Sequence, residues 1–387
     1  MAAGKIGVAL IGYQFMGKAH SNAYRQVGHF FEPPLLPEMK VLVGRNEAAV
    51  RAAAAKYGWQ ECATDWRAVL ERPDIGMVDV SSPGDTHHPI AVAAAKAGKH
   101  IFCEKPLANN LEQALEMAEA AEKAGVKAMV NFNYRYVPAV QLAKRLIQEG
   151  KIGEIRHWRG VYLQDWIIDP EFPLVWRLRK EVAGSGALGD IAAHNIDLAR
   201  YLVGEFVEVA AADKTFIKER PLPAGGEGAW GAAGAGGRGE VTVDDAVVII
   251  GRLENGALAT IEATRFAGGR RNYNYFEVNG SKGSLVFNLE RMNELQYYSL
   301  EDPDYIQGFR LIQVTGSQFA YASAWWPPGH IIGYEHTFVH SLYEFLCAIG
   351  ENREPVPNFR DGARTQAVLE TVAKAAASKR WESVPKV

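Results

Sequence analysis

The sequence predicts a combined α/β and α+β chain: a doubly wound parallel sheet, then an α/β domain built on an open, mostly antiparallel sheet. Three features predict it. Short apolar runs alternate with alanine-rich helical stretches as far as residue 131. A glycine turn at 12–17 joins the first apolar run to a helix. Past residue 240, strand-like runs follow one another through tight-turn dipeptides.

Residues 6–11 form an unbroken apolar run, as a strand covered on both faces does, and 16–27 carry a helical period. Pro33, Pro34 and Pro37 mark 33–37 as an insertion, after which 40–43 is a second strand and 47–57 a helix. A short helix at 66–70, a strand at 77–81, a helix at 90–97, a strand at 100–103, a helix at 111–124 and a strand at 127–131 complete the alternation. Strands this short separated by helices pair in parallel through right-handed crossovers, and such sheets bind ligands at the strands' carboxyl ends.

After 131 the rhythm changes. A helix at 137–149 leads to a strand at 155–163, an aromatic segment to 179, a glycine cluster, and a helix from about 190 to 202. Strands are expected at 241–253, 257–266, 275–279, 284–288 and 294–299, joined by turn signals at Asn255-Gly256 and 281–283. Helices at 335–349 and 361–378 close the chain. Gly and Ala dominate 224–240, the composition of a mobile loop, and the aromatic stretch 321–326 suits a lid, a subunit contact or core.

Among the 387 residues, 42 Lys and Arg face 45 Asp and Glu, for a formal charge of −3. That balance lacks the basic excess of a protein that neutralises nucleic-acid phosphates. No apolar run approaches the ~18–20 residues needed to span a bilayer, and the start is too short and glycine-bounded for a secretion signal. Cys62, Cys103 and Cys347 are odd in number and lack paired spacing, which suits a reduced compartment better than a disulfide frame or zinc site. The expectation is a cytoplasmic protein that binds something small, with no nucleic-acid or membrane partner and no metal.

The turn Gly12-Tyr13-Gln14-Phe15-Met16-Gly17 follows a strand and opens a helix, where backbone N–H groups can face a pyrophosphate. A dinucleotide fingerprint has a third glycine where Gln14 stands, so Gln14 must point away from the phosphates. The second strand ends in Gly44-Arg45-Asn46 rather than in an acid: Gly44 leaves room, and Arg45 and Asn46 offer donors. A guanidinium there suits a ribose 2′-phosphate, hence NADP, with NAD the alternative; an ordinary exposed Arg before a helix fits equally. Glu104-Lys105-Pro106 stands just past the fourth strand. A lysine beside burial or a cation can exchange a proton with a hydroxyl, and Glu104 can pair with the nicotinamide side or with Lys105. Asp190 and His194, four apart after a glycine cluster, share a helix face as an acid–base pair, as a helix cap and core imidazole, or, more weakly, as two metal ligands.

Taken in order, the turn at 12–17, Ser82-Pro83 with His87, Glu104-Lys105-Pro106, Trp176-Arg177, and Gly186 through Asp190 to His194 and Asp197 resemble the glucose–fructose oxidoreductase / inositol dehydrogenase (Gfo/Idh/MocA) family along essentially the whole chain. The resemblance implies a Rossmann domain over 1–131 and a substrate-binding and oligomerisation domain over 132–387, with a mobile loop at about 222–240. It implies a catalytic group of Lys105, Asp190 and His194. It also implies dinucleotide contacts from Gly12, Gln14, Phe15, Met16, Gly44, Arg45, Asn46, Ser82, Pro83, His87, Glu104, Lys105 and Arg177. Motifs at 15–20, 133–135, 162–166 and 186–190 look most like members acting on anhydrosugars of the levoglucosan type. Gly84 and Arg45 depart from the family pattern, which usually has an asparagine and, in NAD-linked members, an acid at these places. Tyr134, Arg135, Gln164, Asp165, Trp166, Trp176 and Asn195 mix flat apolar surface with hydroxyl-binding groups, as a sugar site requires. The activity implied is NAD(P)-dependent oxidation of a ring secondary hydroxyl of a sugar, anhydrosugar or glycoside by a homodimer or homotetramer. A glycoside 3-dehydrogenase, a cyclitol dehydrogenase and a non-catalytic nucleotide or sugar sensor are the alternatives.

Overall fold

The first half of the chain alternates as its apolar periodicity requires. β1 (Gly4–Ile11) and α1 (Phe15–Phe30) lead to β2 (Leu35–Val43), α2 (Glu47–Tyr57), β3 (Glu61–Ala63), α3 (Trp66–Leu70) and β4 (Met77–Val80). α4 (His87–Lys96), β5 (His100–Cys103), α5 (Leu111–Ala124) and β6 (Ala128–Val130) follow. This computed structural model describes residues 4–224 and 233–387. The six strands run parallel in the order β3-β2-β1-β4-β5-β6. The order reverses between β1 and β4, opening a crevice at the strands' carboxyl ends.

The proline segment at 33–37 runs into β2, which begins at Leu35, earlier than the expected start at 40, and Pro37 lies opposite Ile6 of β1. β3 pairs only with Val41, Leu42 and Val43, so the missing N–H of Pro37 falls where β2 has a neighbour on one side alone.

The second half begins with α6 (Pro138–Gln148) and β7 (Ile155–Leu163), then α7 (Lys180–Ala183), α8 (Ala193–Leu202), β8 (Phe206–Lys214), β9 (Glu219–Pro223) and β10 (Ala233–Glu240). β11 (Ala246–Leu253), β12 (Leu258–Thr264), β13 (Tyr273–Gly280), β14 (Gly283–Asn288), β15 (Glu294–Ser299) and β16 (Arg310–Gln313) build the rest of the sheet. α9 (Tyr334–Gly350), α10 (Phe359–Ser378) and β17 (Glu382–Ser383) end the chain. Among the described residues the second sheet has nine strands, ordered β16-β15-β14-β13-β7-β12-β11-β8-β17. β7 and β12 run parallel and every other neighbouring pair is antiparallel.

Part of the expected Gly/Ala loop is therefore a strand: β10 pairs antiparallel with β9, while 225–232 lie outside the described residues. α9 packs on α1, and α10 bridges α5 and β8, so the last long helix joins the two sheets. The aromatic stretch at 321–326 supplies core: Trp325 is buried against Phe30, Phe31 and His340, although Trp326 stays half exposed. No helix among the described residues is long and apolar enough to cross a membrane.

His340 makes this junction pH-sensitive. Fully buried, it accepts a hydrogen bond from Trp325 Nε1 at 2.7 Å and donates from Nδ1 to the Tyr136 carbonyl at 2.9 Å, an arrangement only the neutral ring satisfies. Burial, helped by nearby His336, pushes its pKa down to about 3. A folded pKa below the unfolded one gives stability that is present above pH ~6.5 and lost as pH falls toward the folded value. The stability advantage of wild type over His340→Gln is expected to shrink by about 2 kcal/mol between about pH 6.5 and 4.5 in denaturant titrations. A constant difference would remove the neutral-ring assignment.

Candidate active site

A cavity of about 660 Å³ runs from the glycine turn across the crevice to the second sheet. That volume lies within the ~300–1,000 Å³ usual for small-molecule sites. Gly12 enters the turn at φ +115°, and a Cβ there would lie 2.7 Å from Ser81 Oγ, so only glycine lets β1 turn into α1 this tightly. Gln14 precedes α1, is exposed, and makes no side-chain cap, which leaves the first-turn N–H groups of α1 for another acceptor. Phe15, Met16, Gly44, Arg45, Ser82 and Pro83 continue the wall. The room expected at Gly44 is taken by the Tyr13 ring, 2.2 Å from where its Cβ would be.

Glu104 and His87 also line the cavity, but their polar atoms are turned inward. Glu104 accepts from His20, Asn131 and the Lys105 backbone N–H. Burial alone would raise the Glu104 pKa; the hydrogen bond and charge of His20 outweigh it and hold the carboxyl below its ordinary value. His87 lies between the carbonyls of Pro106 and Ser82, at 3.0 and 2.9 Å, and burial lowers its pKa. Kept neutral, it has one proton to give and donates to only one of these two carbonyls.

Across the cavity, the glycine cluster leads into one turn of wider helix at Leu188–Ala192, from which α8 continues. In this turn the Ala193 N–H reaches back to the Leu188 carbonyl, a π-type widening that often marks functional sites. It brings Asp190 and His194 to Lys105. Lys105 Nζ donates to the Asp190 carbonyl at 2.6 Å and stands 3.5 Å from Asp190 Oδ1. Arg265, wholly buried, approaches Asp190 Oδ2 at 3.7 Å. Burial alone would raise the Asp190 pKa; Lys105, Arg177 and Arg265 more than offset this and hold it below the carboxylate range. His194 is neutral: burial first, and Lys105 second, keep its pKa well below the usual imidazole value. Its Nδ1 is buried without a hydrogen-bond partner, and its ring lies 4.4 Å from that of Tyr134.

The wall beyond His194 is a directed hydrogen-bond chain. Asn272 Oδ1 accepts from Tyr162 OH at 2.6 Å and Gln164 Nε2 at 2.9 Å. Since Tyr162 spends its proton there, Tyr134 OH donates to it at 2.9 Å, and Trp166 Nε1 donates to Gln164 Oε1 at 3.0 Å. Trp176 and Arg177 face the same space, with the guanidinium 4.3 Å from the indole of Trp176.

Four residues expected at the site lie outside the cavity. Asn46 spends its side chain capping α2 through the Ala49 N–H. Arg135 is buried in a bidentate pair with Asp197, at 2.8 and 2.6 Å. Asn195 is fully buried against β7 and donates to Asn274. Asp165 pairs with Arg271 and accepts the Gly269 N–H. Conversely Tyr13, Asn133, Tyr162, Asn272, Tyr334 and Phe338 line the cavity unanticipated. Tyr13, Asn133 and Tyr162 stand inside the motifs at 12–17, 133–135 and 162–166; Asn272 and Tyr334 come from the β13 approach and the start of α9, where nothing local marks a ligand. Among the described residues, no three His, Cys, Asp or Glu side chains converge to hold a metal ion.

Residues 6–132 match the oxidoreductase family with an NAD-binding Rossmann fold, and residues 140–286 match the GFO/IDH/MocA C-terminal domain. The levoglucosan dehydrogenase of Pseudarthrobacter phenanthrenivorans is 47% identical over 386 residues, 99% of each chain. The crystal structure of an oxidoreductase domain protein from Kribbella flavida is similar with a TM-score of 0.94 at 50% identity, covering 99% of this chain and 100% of that one. A levoglucosan dehydrogenase in complex with NADH and levoglucosan gives 0.93 at 45% identity, again covering 99% and 100%.

Proposed function

The chain belongs to the GFO/IDH/MocA oxidoreductase family, and on that premise we propose that it oxidises a ring secondary hydroxyl of a sugar, an anhydrosugar of the levoglucosan type first among candidates. The observation that carries this reading is the meeting of Lys105, Asp190 and His194 in a cavity whose other end opens on the glycine turn of α1. A mere sensor of nucleotide or sugar has no use for a desolvated neutral imidazole beside a fixed lysine.

The turn suits a dinucleotide: Gly12 has no Cβ, and the N-terminus of α1 leaves N–H groups for a pyrophosphate. Bound there, the nicotinamide would supply the hydride acceptor. His194, kept neutral by burial and lining the cavity, takes the hydroxyl proton. Lys105 is tethered by its bond to Asp190 and keeps a donor beside the oxygen where negative charge develops. Asp190 anchors Lys105. Trp166 and Trp176 offer flat faces to C–H groups, and the chain from Tyr134 to Asn272 meets the remaining hydroxyls.

The family's Rossmann fold is NAD-binding, and relatives of this chain hold NADH. At the end of β2 stands Arg45 and no carboxylate. On this ground the protein is proposed to accept NADP as well as NAD. Arg45→Asp is expected to lower kcat/KM for NADP at least about tenfold, ~1.4 kcal/mol, with NAD little changed. A wild-type preference for NAD above about tenfold overturns this role of Arg45.

The outer face of β8, β11 and β12 exposes Val207, Val248, Ile250 and Leu258, with Trp381 nearby. That face is the contact of the proposed homodimer or homotetramer, and a monomer in sedimentation would remove it. The three cysteines are free thiols, which suits the cytoplasm.

The test of the activity is a screen of levoglucosan, glucosides, hexoses and myo-inositol with each dinucleotide, read by absorbance of the reduced nicotinamide. Levoglucosan is expected to react fastest. A faster reaction with myo-inositol makes the protein a cyclitol dehydrogenase, and no reaction with any sugar, with dinucleotide still bound, defeats the enzymatic reading.

A further inference from the structure

His20 has no part in the chemistry so far, yet it sits beneath it. The residue lies on α1, 1% exposed, with Nδ1 2.8 Å from Asp79 Oδ2 and Nε2 2.9 Å from Glu104 Oε1. Ionised carboxylates only accept, and a neutral imidazole has one proton to give. Satisfying both partners needs protons on both ring nitrogens. Burial opposes that charge, but Asp79 and Glu104 outweigh it and raise the His20 pKa to about 10.

The two carboxylates extend the tie. Asp79, at the end of β4, also accepts from Tyr24 OH at 2.8 Å. Glu104, just past β5, accepts from Asn131 Nδ2 at 2.7 Å and, through Oε2, from the Lys105 N–H at 3.2 Å. Asn131 in turn accepts from Ser341 of α9 at 2.8 Å. One imidazole thus connects the helix that begins at the glycine turn to the turn that carries Lys105.

We infer that His20 is a positioning residue of this oxidoreductase: its imidazolium clamps Glu104, and through the Lys105 backbone fixes the lysine toward Asp190 and His194. The inference rests on the dehydrogenase reading for its kinetic consequence alone. Without the clamp, Asp79 and Glu104 become neighbouring buried acids, and Asp79 Oδ1 already lacks a partner. Around Glu104, Cys103 stays protonated because burial and the two carboxylates raise its pKa, and His87 is kept neutral by burial. The hydroxyls of Tyr134 and Tyr334 are held protonated by burial. Lys105 and Arg177 remain as cations near it. Glu104 would then take up a proton more readily, and its hold on the Lys105 turn would loosen.

The test has two arms. In wild-type protein labelled at the histidine ring nitrogens, NMR at about pH 8.5, two units above the ordinary value of ~6.5, should show one imidazolium with both nitrogens protonated. No such signal overturns the clamp, and this arm needs no sugar, so it decides the inference even if every sugar in the screen fails. In kinetics with levoglucosan, His20→Gln should lower kcat about 100-fold, leave the dinucleotide dissociation constant within about threefold, and move the acid limb of kcat/KM up by about one unit or more. The double variant with Glu104→Gln should be little slower than either single one, since both act through one carboxylate. A kcat within about threefold of wild type, an unmoved acid limb, or losses that multiply in the double variant would contradict the inference.

Discussion

Replacing Lys105 with methionine is expected to lower kcat by about 10³, ~4 kcal/mol, and to leave the dinucleotide dissociation constant within about threefold. Methionine keeps most of the side chain's length and loses the ammonium that donates to the Asp190 carbonyl at 2.6 Å. The loss falls on the transition state, because charge on the substrate oxygen appears only as the proton leaves. Asp190 keeps Arg177 and Arg265 as counter-ions, so the fold is expected to survive, and the pyrophosphate turn of α1 is expected to carry most of the dinucleotide affinity without Lys105. Fluorescence titration with reduced dinucleotide and steady-state rates with levoglucosan check the two halves separately. Turnover comparable to wild type would end the assigned role, and a parallel loss of dinucleotide affinity would make Lys105 a binding residue.

His194→Gln is expected to cost a similar factor, about 10²–10⁴, the range for a positioned acid–base group. Glutamine fills much of the same space beside Tyr134 and Tyr162 but cannot accept a proton at neutral pH. The pH dependence carries a sign. Burial and Lys105 hold the wild-type ring's pKa well below 6.5, so oxidation through a neutral base should stay level as pH falls to about 6.5 and decline only below it. A wild-type rate that already falls at pH values above ~6.5 would show that His194 is not the base, as would a variant retaining more than about a tenth of the rate.

The parallel sheet was legible because each of its strands is short, apolar and followed by a helix with its own period, from 6–11 through 127–131. β2 was clipped because prolines normally exclude a strand, and only the one-sided pairing ahead of Val41 excuses them. β8, with three consecutive alanines, has no alternation to read and becomes a strand through β11. β10 is worse still, since glycine carries no side-chain pattern and its pairing with β9 is a tertiary fact.

The site divides in the same way. Lys105, Asp190 and His194 stand in motifs whose spacing survives folding, and all three reach one cavity. Arg135 and Asn195 stand in equally suggestive motifs, yet one is consumed by Asp197 and the other packs against β7. Whether a polar residue faces ligand or core depends on a partner that can come from anywhere in the chain. Asn272 and Tyr334 illustrate the converse, for their place in the cavity comes from how β13 and α9 approach it. His20 was visible only as a letter in a motif, and its meaning depends on Asp79 and Glu104, which reach it across three strands of the sheet.

In the proposed reaction a sugar carbinol and a nicotinamide meet over Lys105, Asp190 and His194. Single-turnover reaction of the wild-type enzyme with ring-deuterated levoglucosan and oxidised dinucleotide tests it most directly. Deuterium should appear on the nicotinamide ring, with a keto-sugar formed in equal amount, and Lys105→Met loaded with the same ligands should transfer almost none. Reduced dinucleotide without deuterium would rule out direct hydride transfer from the sugar, and equal transfer by the Lys105→Met variant would rule out the role of Lys105.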